Sequence, residues 1–374
     1  MNDYFATVGR GLEAVAGREL EDLGAQKVSP AFAGVHFSGD QRLLYRVNLW
    51  GRTLFRVLVP LRDFRCVDAT MLYEQVQKID WREYLRVDQT LAVHCTGMSA
   101  ALNHTHFTAL QVKNAIVDQQ RRHWGKRSHV DPQNPDLLIQ VHLYQDRCTL
   151  SLDSSGTSLH RRGYRPAMGL APLKETLAAG LLQLANYDLN LPFLDPMCGS
   201  GILPIEASLK ALNWAPGLFQ PEFAFMKWPD FDPQIWDEVC REAKAATLPN
   251  LPNLIIGSDQ DSQVLSEARI NAQQFDVGEQ IQFYQRALSD LEAPAPEGLI
   301  ICNPPYGKRL GNEEELGNLY QELGDVFKQR FKGWTAFILT GNKALSKQVG
   351  LRTSGRVPVY NGGLPCTLLK YELY

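Results

Sequence analysis

From Ala171 onward the chain alternates helical and extended patterns, and this alternation limits its fold more than any other feature. Short apolar runs lie at Phe193–Leu194, Leu254–Ile256, Ile281–Tyr284, Leu299–Ile301 and Ala336–Leu339. Helical periodicities at Leu173–Asn186, Leu203–Leu212, Gln263–Phe275 and Leu316–Phe331 separate most of them. Strands joined through helices pair in parallel, so a Rossmann-like α/β sheet is expected here. Two more extended runs, Arg356–Tyr360 and Thr367–Leu373, flank Asn361-Gly362-Gly363, a hairpin signal. Residues 214–250, rich in proline, tryptophan and phenylalanine, interrupt the alternation and read as an insertion.

The first part of the chain follows a different pattern. Strand candidates at Tyr4–Val8, Ala31–Phe37 and Leu54–Leu61 enclose helical patterns at Glu13–Leu23 and Leu43–Leu49, a small α+β unit over residues 1–62. A second α+β unit, 63–158, has helices near Met71–Ile79 and Thr105–His123. Its strands fall near Thr90–Cys95, Leu137–Leu143 and Cys148–Leu152. The α/β unit then occupies 159–374.

Net charge separates the two parts as well. The whole chain carries 38 Lys+Arg against 41 Asp+Glu, which by itself argues against a nucleic-acid partner. Residues 1–165, however, hold 21 basic and 17 acidic side chains, and residues 166–374 hold 17 and 24. A mildly basic part is joined to an acidic one. Seven cysteines with no CxxC pair predict reduced thiols in the cytoplasm, with neither a disulfide framework nor a zinc site. No apolar run reaches the ~18 residues of a membrane span. His104 and His106 have no ligand constellation around them, so no metal is expected.

The turn after the first strand of the α/β part carries the first chemical signal. Asp195-Pro196-Met197-Cys198-Gly199-Ser200-Gly201 places a carboxylate at a strand end and two glycines in the following turn. A ligand can approach the backbone closely there. The dinucleotide fingerprint would need a glycine where Pro204 stands, which disfavours a pyrophosphate. The Asp-x-x-x-Gly-x-Gly form suits S-adenosylmethionine, whose ammonium needs an anion. Asp259, with Gln260 beside it, ends the next strand where an acid accepts from ribose hydroxyls, while Asp261 reads as a helix N-cap. After the third strand the only acid comes late, at Asp290, so a backbone contact near Ala287 is the other candidate for the adenine.

Asn303-Pro304-Pro305-Tyr306 is the sharpest signal. The lone pair of an exocyclic base amine is delocalised, so it is a poor nucleophile. The Asn303 side-chain oxygen and the Pro304 carbonyl can accept its two N–H bonds and aim the lone pair at a methyl group. Tyr306 offers a face for a flipped-out base, worth ~1–3 kcal/mol, against the few kcal/mol that flipping costs. Cys302, ending an apolar strand, reads as a buried structural thiol. Cys366 follows the hairpin turn and is discounted as a nucleophile.

Cations interleaved with aromatics supply the nucleic-acid signal. Arg121, Arg122, Trp124, Lys126 and Arg127 cluster at one helix end, with Lys113 earlier on that helix. Arg161, Arg162 and Arg165 surround Tyr164 at the junction of the two parts. Cations pair with phosphates and aromatics stack on exposed bases.

Residues 193–207 (FLDPMCGSGILPIEA), 257–261 (GSDQD) and 301–311 (ICNPPYGKRLG) resemble bacterial large-subunit (23S) rRNA guanine-N2 methyltransferases. The segments LHRRGYRPAMGLAPLKETLAAGLL and VYNGGLPCTLLKYELY are similar to the same family, so the likeness spans essentially the whole chain. It implies a ferredoxin-like piece and a THUMP RNA-binding domain ahead of a class I methyltransferase domain. It also implies S-adenosylmethionine held by Asp195, Gly199, Gly201 and Asp259, and guanine held by Asn303, Pro304 and Tyr306. Other functions fit the same features. The layout serves tRNA guanine-N2 enzymes, and the tetrapeptide serves adenine-N6 and protein-glutamine methyltransferases. A non-catalytic RNA-binding protein could also keep the fold.

Overall fold

The computed structural model describes residues 1–164, 173–275, 278–306 and 313–374. Two sheets organise them. The first holds β1 (Asn2–Val8), β2 (Gln26–Ala31), β3 (Gly34–Gly39), β4 (Leu54–Arg65), β5 (Thr90–Met98), β6 (His129–Val130), β7 (Leu137–Tyr144) and β8 (Arg147–Asp153). Its order is β2-β3-β1-β4-β8-β7-β5-β6, so the two small α+β units share one continuous sheet. The expected boundary at 62/63 falls inside β4, which pairs with β1 on one side and β8 on the other.

The second sheet holds β9 (Phe193–Asp195), β10 (Ile255–Asp259), β11 (Gln282–Gln285), β12 (Gly298–Cys302), β13 (Trp334–Thr340), β14 (Gly355–Asn361) and β15 (Leu364–Glu372). Its order is β11-β10-β9-β12-β13-β15-β14. Strands β11 to β13 are parallel, and β15 runs antiparallel between β13 and β14. The Rossmann-like α/β architecture read from the alternation is present. Strands β9 and β12 are buried along their whole length, as continuous apolar runs covered on both faces must be. Strand order reverses at β9, and such a switch point opens a crevice at the strands' carboxyl ends.

Two elements differ from the sequence reading. The single strand expected at Ala31–Phe37 is a hairpin, β2 and β3, turning at Phe32-Ala33. Ala33 adopts φ 53° there, so the turn lacks the glycine or asparagine that would have announced it. A short helix at Lys343–Gln348, capped by Asn342, was not anticipated.

The insertion packs on the first sheet. Phe223, Phe225 and Trp228 belong to the same apolar core as Tyr4, Val57 and Leu150. Phe225 stacks on Tyr45 with ring centroids 4.4 Å apart. Helix Pro233–Ala246 starts from an Asp232 cap and pairs Glu238 and Glu242 with Arg42 at 2.8 and 2.6 Å.

A buried polar clasp joins the two parts. Arg162 was expected to contact RNA, yet it is 2% exposed and its guanidinium pairs with Glu206 at 3.0 Å. It also donates to the Arg52 carbonyl at 2.6 Å, and Tyr164 Oη donates to Glu206 at 3.0 Å. Arg52 in turn donates to the Leu209 and Trp214 carbonyls. Arg162 is therefore an interior tie: its side chain is buried and a carboxylate inside the protein satisfies its charge.

Candidate active site

Strand β9 delivers Asp195 to the crevice. Its carboxylate accepts from the Met197 N–H at 3.1 Å and is 2% exposed. Burial, and then nearby Asp259, push its carboxyl well above the usual range. A carboxylate in that position needs a cation before it ionises comfortably. An ammonium group meets that need.

The glycine turn is fixed from β10. Cys198 N–H donates to the Ser258 carbonyl at 2.9 Å, and Gly199 N–H donates to Asp259 Oδ2 at 3.0 Å. Gly201 sits at φ 83° before helix Ile202–Ala211, and an added Cβ would lie 3.0 Å from Ala268 Cβ. In front of Gly199 the space is open. Pro196 and Cys198 lie inside the turn, the Cys198 thiol buried. Asp259 Oδ1 accepts from the Asp261 N–H at 3.0 Å, and Asp261 caps helix Ser262–Gln273 as expected.

Gln260 and Ala287 stand at the same sheet edge. The Arg286 N–H donates to the Asp259 carbonyl at 3.0 Å, and the Gln260 carbonyl accepts from Gln285 at 3.2 Å. Ala287 is half-buried and Asp290 is exposed on the next short turn, its N–H donating to the Ala287 carbonyl.

Asn303 leaves the carboxyl end of β12, which pairs with β9. Its Oδ1 is buried and has no hydrogen-bond partner among the described residues. An unsatisfied buried acceptor costs about 1–3 kcal/mol, so this atom is poised for an N–H donor from a ligand. Pro304 is buried, and Pro305 and Tyr306 are half-buried. The Tyr306 hydroxyl accepts from Asn361 Nδ2 at 2.9 Å, with the Cys366 thiol at 3.6 Å. Burial pushes this phenol up to about 12, so it stays protonated at neutral pH. Gly341 lets the ring pass, since a Cβ there would lie 3.0 Å from it. Sequence reasoning took Asn361 only as a turn residue and set Cys366 aside, so it missed both anchors of the tyrosine. Cys302 is buried among apolar groups, as expected.

The nucleic-acid candidates divide. Arg121, Arg122, Trp124, Lys126 and Arg127 are all exposed at the end of helix Thr105–Trp124, where Gly125 closes the helix at φ 65°. Arg121 pairs with Asp118 at 3.1 Å, and Lys113 is half-buried beside Asn114. Arg161 is exposed, and Arg165 lies outside the described residues. His104 caps this same helix. Among the described residues there is no metal-ligating cluster, and no helix is long and apolar enough to cross a membrane.

Residues 162–370 match the RMKL-like methyltransferase domain, residues 66–153 the THUMP domain, and residues 3–58 the RlmL ferredoxin-like domain. A Synechocystis sp. protein, provisionally named an RNA methyltransferase, is 58% identical over 371 residues, covering 99% of this chain and 97% of that protein. A protein of Syntrophotalea carbinolica, named ribosomal RNA large subunit methyltransferase K/L, is 41% identical. The match covers 99% of this chain and 53% of that relative, so the chain spans about half of its length. Among solved structures, a protein provisionally named a methyltransferase and complexed with S-adenosylhomocysteine superposes with TM-score 0.91 at 30% identity, covering 100% of this chain and 98% of its own. A Listeria monocytogenes protein, named as a predicted N6-adenine-specific DNA methylase, gives 0.89 at 32%, covering 100% and 96%. The chain thus belongs to the RMKL-like methyltransferase family, with a ferredoxin-like and a THUMP domain ahead of its catalytic fold.

Proposed function

We propose that the chain transfers a methyl group from S-adenosylmethionine to the exocyclic N2 of a guanine in large-subunit rRNA. The observation that carries this reading is the buried Oδ1 of Asn303 at the end of β12, without a hydrogen-bond partner among the described residues and one strand from Asp195. An acceptor in that position selects a nitrogen that bears hydrogen, which an exocyclic amine does and an unprotonated ring nitrogen does not.

Asp195 would hold the cofactor's ammonium, the Gly199–Gly201 turn its amino-acid portion and Asp259 its ribose. Gln260, Ala287 and Asp290 would be the candidates to meet its adenine. The cofactor supplies a methyl group already activated on a sulfonium, so the protein's task is orientation. Asn303 Oδ1 and the Pro304 carbonyl accept the two amine hydrogens, which turns the nitrogen lone pair toward the methyl carbon. As positive charge grows on nitrogen, both acceptors bind its hydrogens more strongly, which lowers the barrier. The C–S bond would break as the C–N bond forms, S-adenosylhomocysteine would leave, and one N2 proton would pass to solvent. Tyr306 stacks on the extruded base. The exposed Arg121–Arg127 cluster and Arg161 hold RNA phosphates.

The names of two relatives support the methyl transfer and the rRNA substrate. The name of the Listeria structure motivates an adenine-N6 reading of the same turn. Mass mapping of methylated nucleosides in rRNA and tRNA, from cells with and without the protein, separates these readings. Loss of an N2-methylguanosine from 23S rRNA supports the proposal. Loss of a tRNA mark alone, or of N6-methyladenosine, overturns it.

A further inference from the structure

A seam between the two parts of the chain ends at the hairpin that holds Tyr306. Arg10, just after β1, lies with its guanidinium 4.0 Å from the Tyr360 ring centroid and 5.2 Å from that of Phe32. It donates to the Tyr360 hydroxyl at 3.1 Å, and the Tyr360 N–H donates back to the Arg10 carbonyl at 3.1 Å. Tyr360 immediately precedes Asn361, the partner of Tyr306. Lys174 places its Nζ 4.9 Å from the Phe55 ring centroid, and Arg10, Lys174, Phe55 and Tyr360 line one cavity of about 230 Å³. Neither cation forms an ion pair among the described residues.

The seam continues past Phe55. His160 meets that ring edge-on at 5.8 Å and borders a larger cavity, about 680 Å³, with Arg56 and Arg161. Burial first, and then the positive charges of Lys174, Arg161, Arg56 and Arg162, push His160 down to about 4. Phe32 is 80% exposed at the β2–β3 turn. The Glu13 carboxylate ties that turn to the Arg10 loop, accepting from the Gly11 N–H at 2.7 Å and the Ala33 N–H at 3.2 Å.

Arg56 is tied to Asp153, but Arg10 and Lys174 have no ion-pair partner among the described residues, and cations of that kind along a groove beside an exposed aromatic make a binding surface for a single nucleic-acid strand. We infer that this seam holds the RNA strand adjoining the target nucleotide, with Arg10 and Lys174 on successive phosphates and Phe32 stacked on a base. The inference rests on the RNA substrate proposed above and adds the path by which the strand reaches Tyr306.

The test is filter binding of in vitro transcribed 23S rRNA across a salt series, with methyl transfer to the same RNA measured in parallel. Arg10→Ala and Lys174→Ala should each reduce the log–log salt slope by about 0.7, the value for one single-strand phosphate contact. Arg10→Lys and Lys174→Arg should restore it, which a purely structural role would not allow. Phe32→Ala should weaken binding about tenfold with the slope unchanged. Thermal melting should show each variant folded, and cofactor titration of each should match the parent protein. If the parent methylates the RNA and the alanine variants bind with its slope and affinity, the seam is overturned alone. A parent protein that methylates no RNA overturns the substrate reading, and the seam with it.

Discussion

The side-chain amide of Asn361 donates to the hydroxyl of Tyr306 at 2.9 Å, tying the turn that follows β12 to the hairpin at the far edge of the sheet. The tyrosine of the tetrapeptide is therefore held by a residue 55 positions later. Asn361→Ala should free the ring and lower kcat/KM roughly fivefold, the ~1 kcal/mol of one neutral hydrogen bond. Tyr306→Phe should do the same, and the double variant should cost little more than either single one. Steady-state methyl transfer to 23S rRNA measures all three.

Asn303 has a different expected signature. With Asn303→Ala the amine loses an acceptor that strengthens toward the transition state, so kcat should fall by about 10²–10³. Cofactor affinity by calorimetry should stay at the parent value. A variant that keeps the parent rate would remove the amine-orienting mechanism.

Asp195 predicts a pH dependence. Burial raises its folded-state pKa, so its contribution to stability is fully present below the unfolded value near ~4 and is lost as pH rises through the folded one. Without cofactor, Asp195→Asn should therefore melt at or above the parent temperature at neutral pH, and the gain should shrink toward pH 4. With cofactor the order should reverse, because an ammonium favours the ionised acid. Cofactor affinity of the parent should rise with pH over that window, and that of the Asn variant should be weak and flat. Thermal melting with and without S-adenosylmethionine reads both trends.

The clasp of Arg162 and Glu206 should be seen in stability alone. Arg162→Ala strands a buried carboxylate, a loss on the order of 3–5 kcal/mol. The salt slope of RNA binding should not change, since the guanidinium faces no solvent. Denaturant unfolding and the salt series together make the check.

Much of this site was legible in the sequence because it lies at strand ends, where apolar runs stop and chemistry begins. Asp195, Asp259 and Asn303 each end or follow a buried parallel strand, and the glycines between them mark the turn. Residues whose roles depend on distant partners were not legible. Arg162 shares its surroundings in sequence with exposed Arg161, and only Glu206, 44 residues later, makes one interior and the other free. Arg10, Lys174 and Phe32 carried no local pattern at all. Their meaning comes from the way β1, the β2–β3 turn and β14 meet.

The insertion gives aromatic side chains from the catalytic half of the sequence to the core of the RNA-docking half. With Phe223, Phe225 and Trp228 inside that core, the first half cannot complete its core without this segment, and the segment cannot cover its aromatics without the first half. A cut near residue 158 would leave one piece with an open cavity and the other with bare aromatics. The first sheet and the 214–250 segment should therefore melt together, and recombining the first half with a foreign partner requires moving that segment with it.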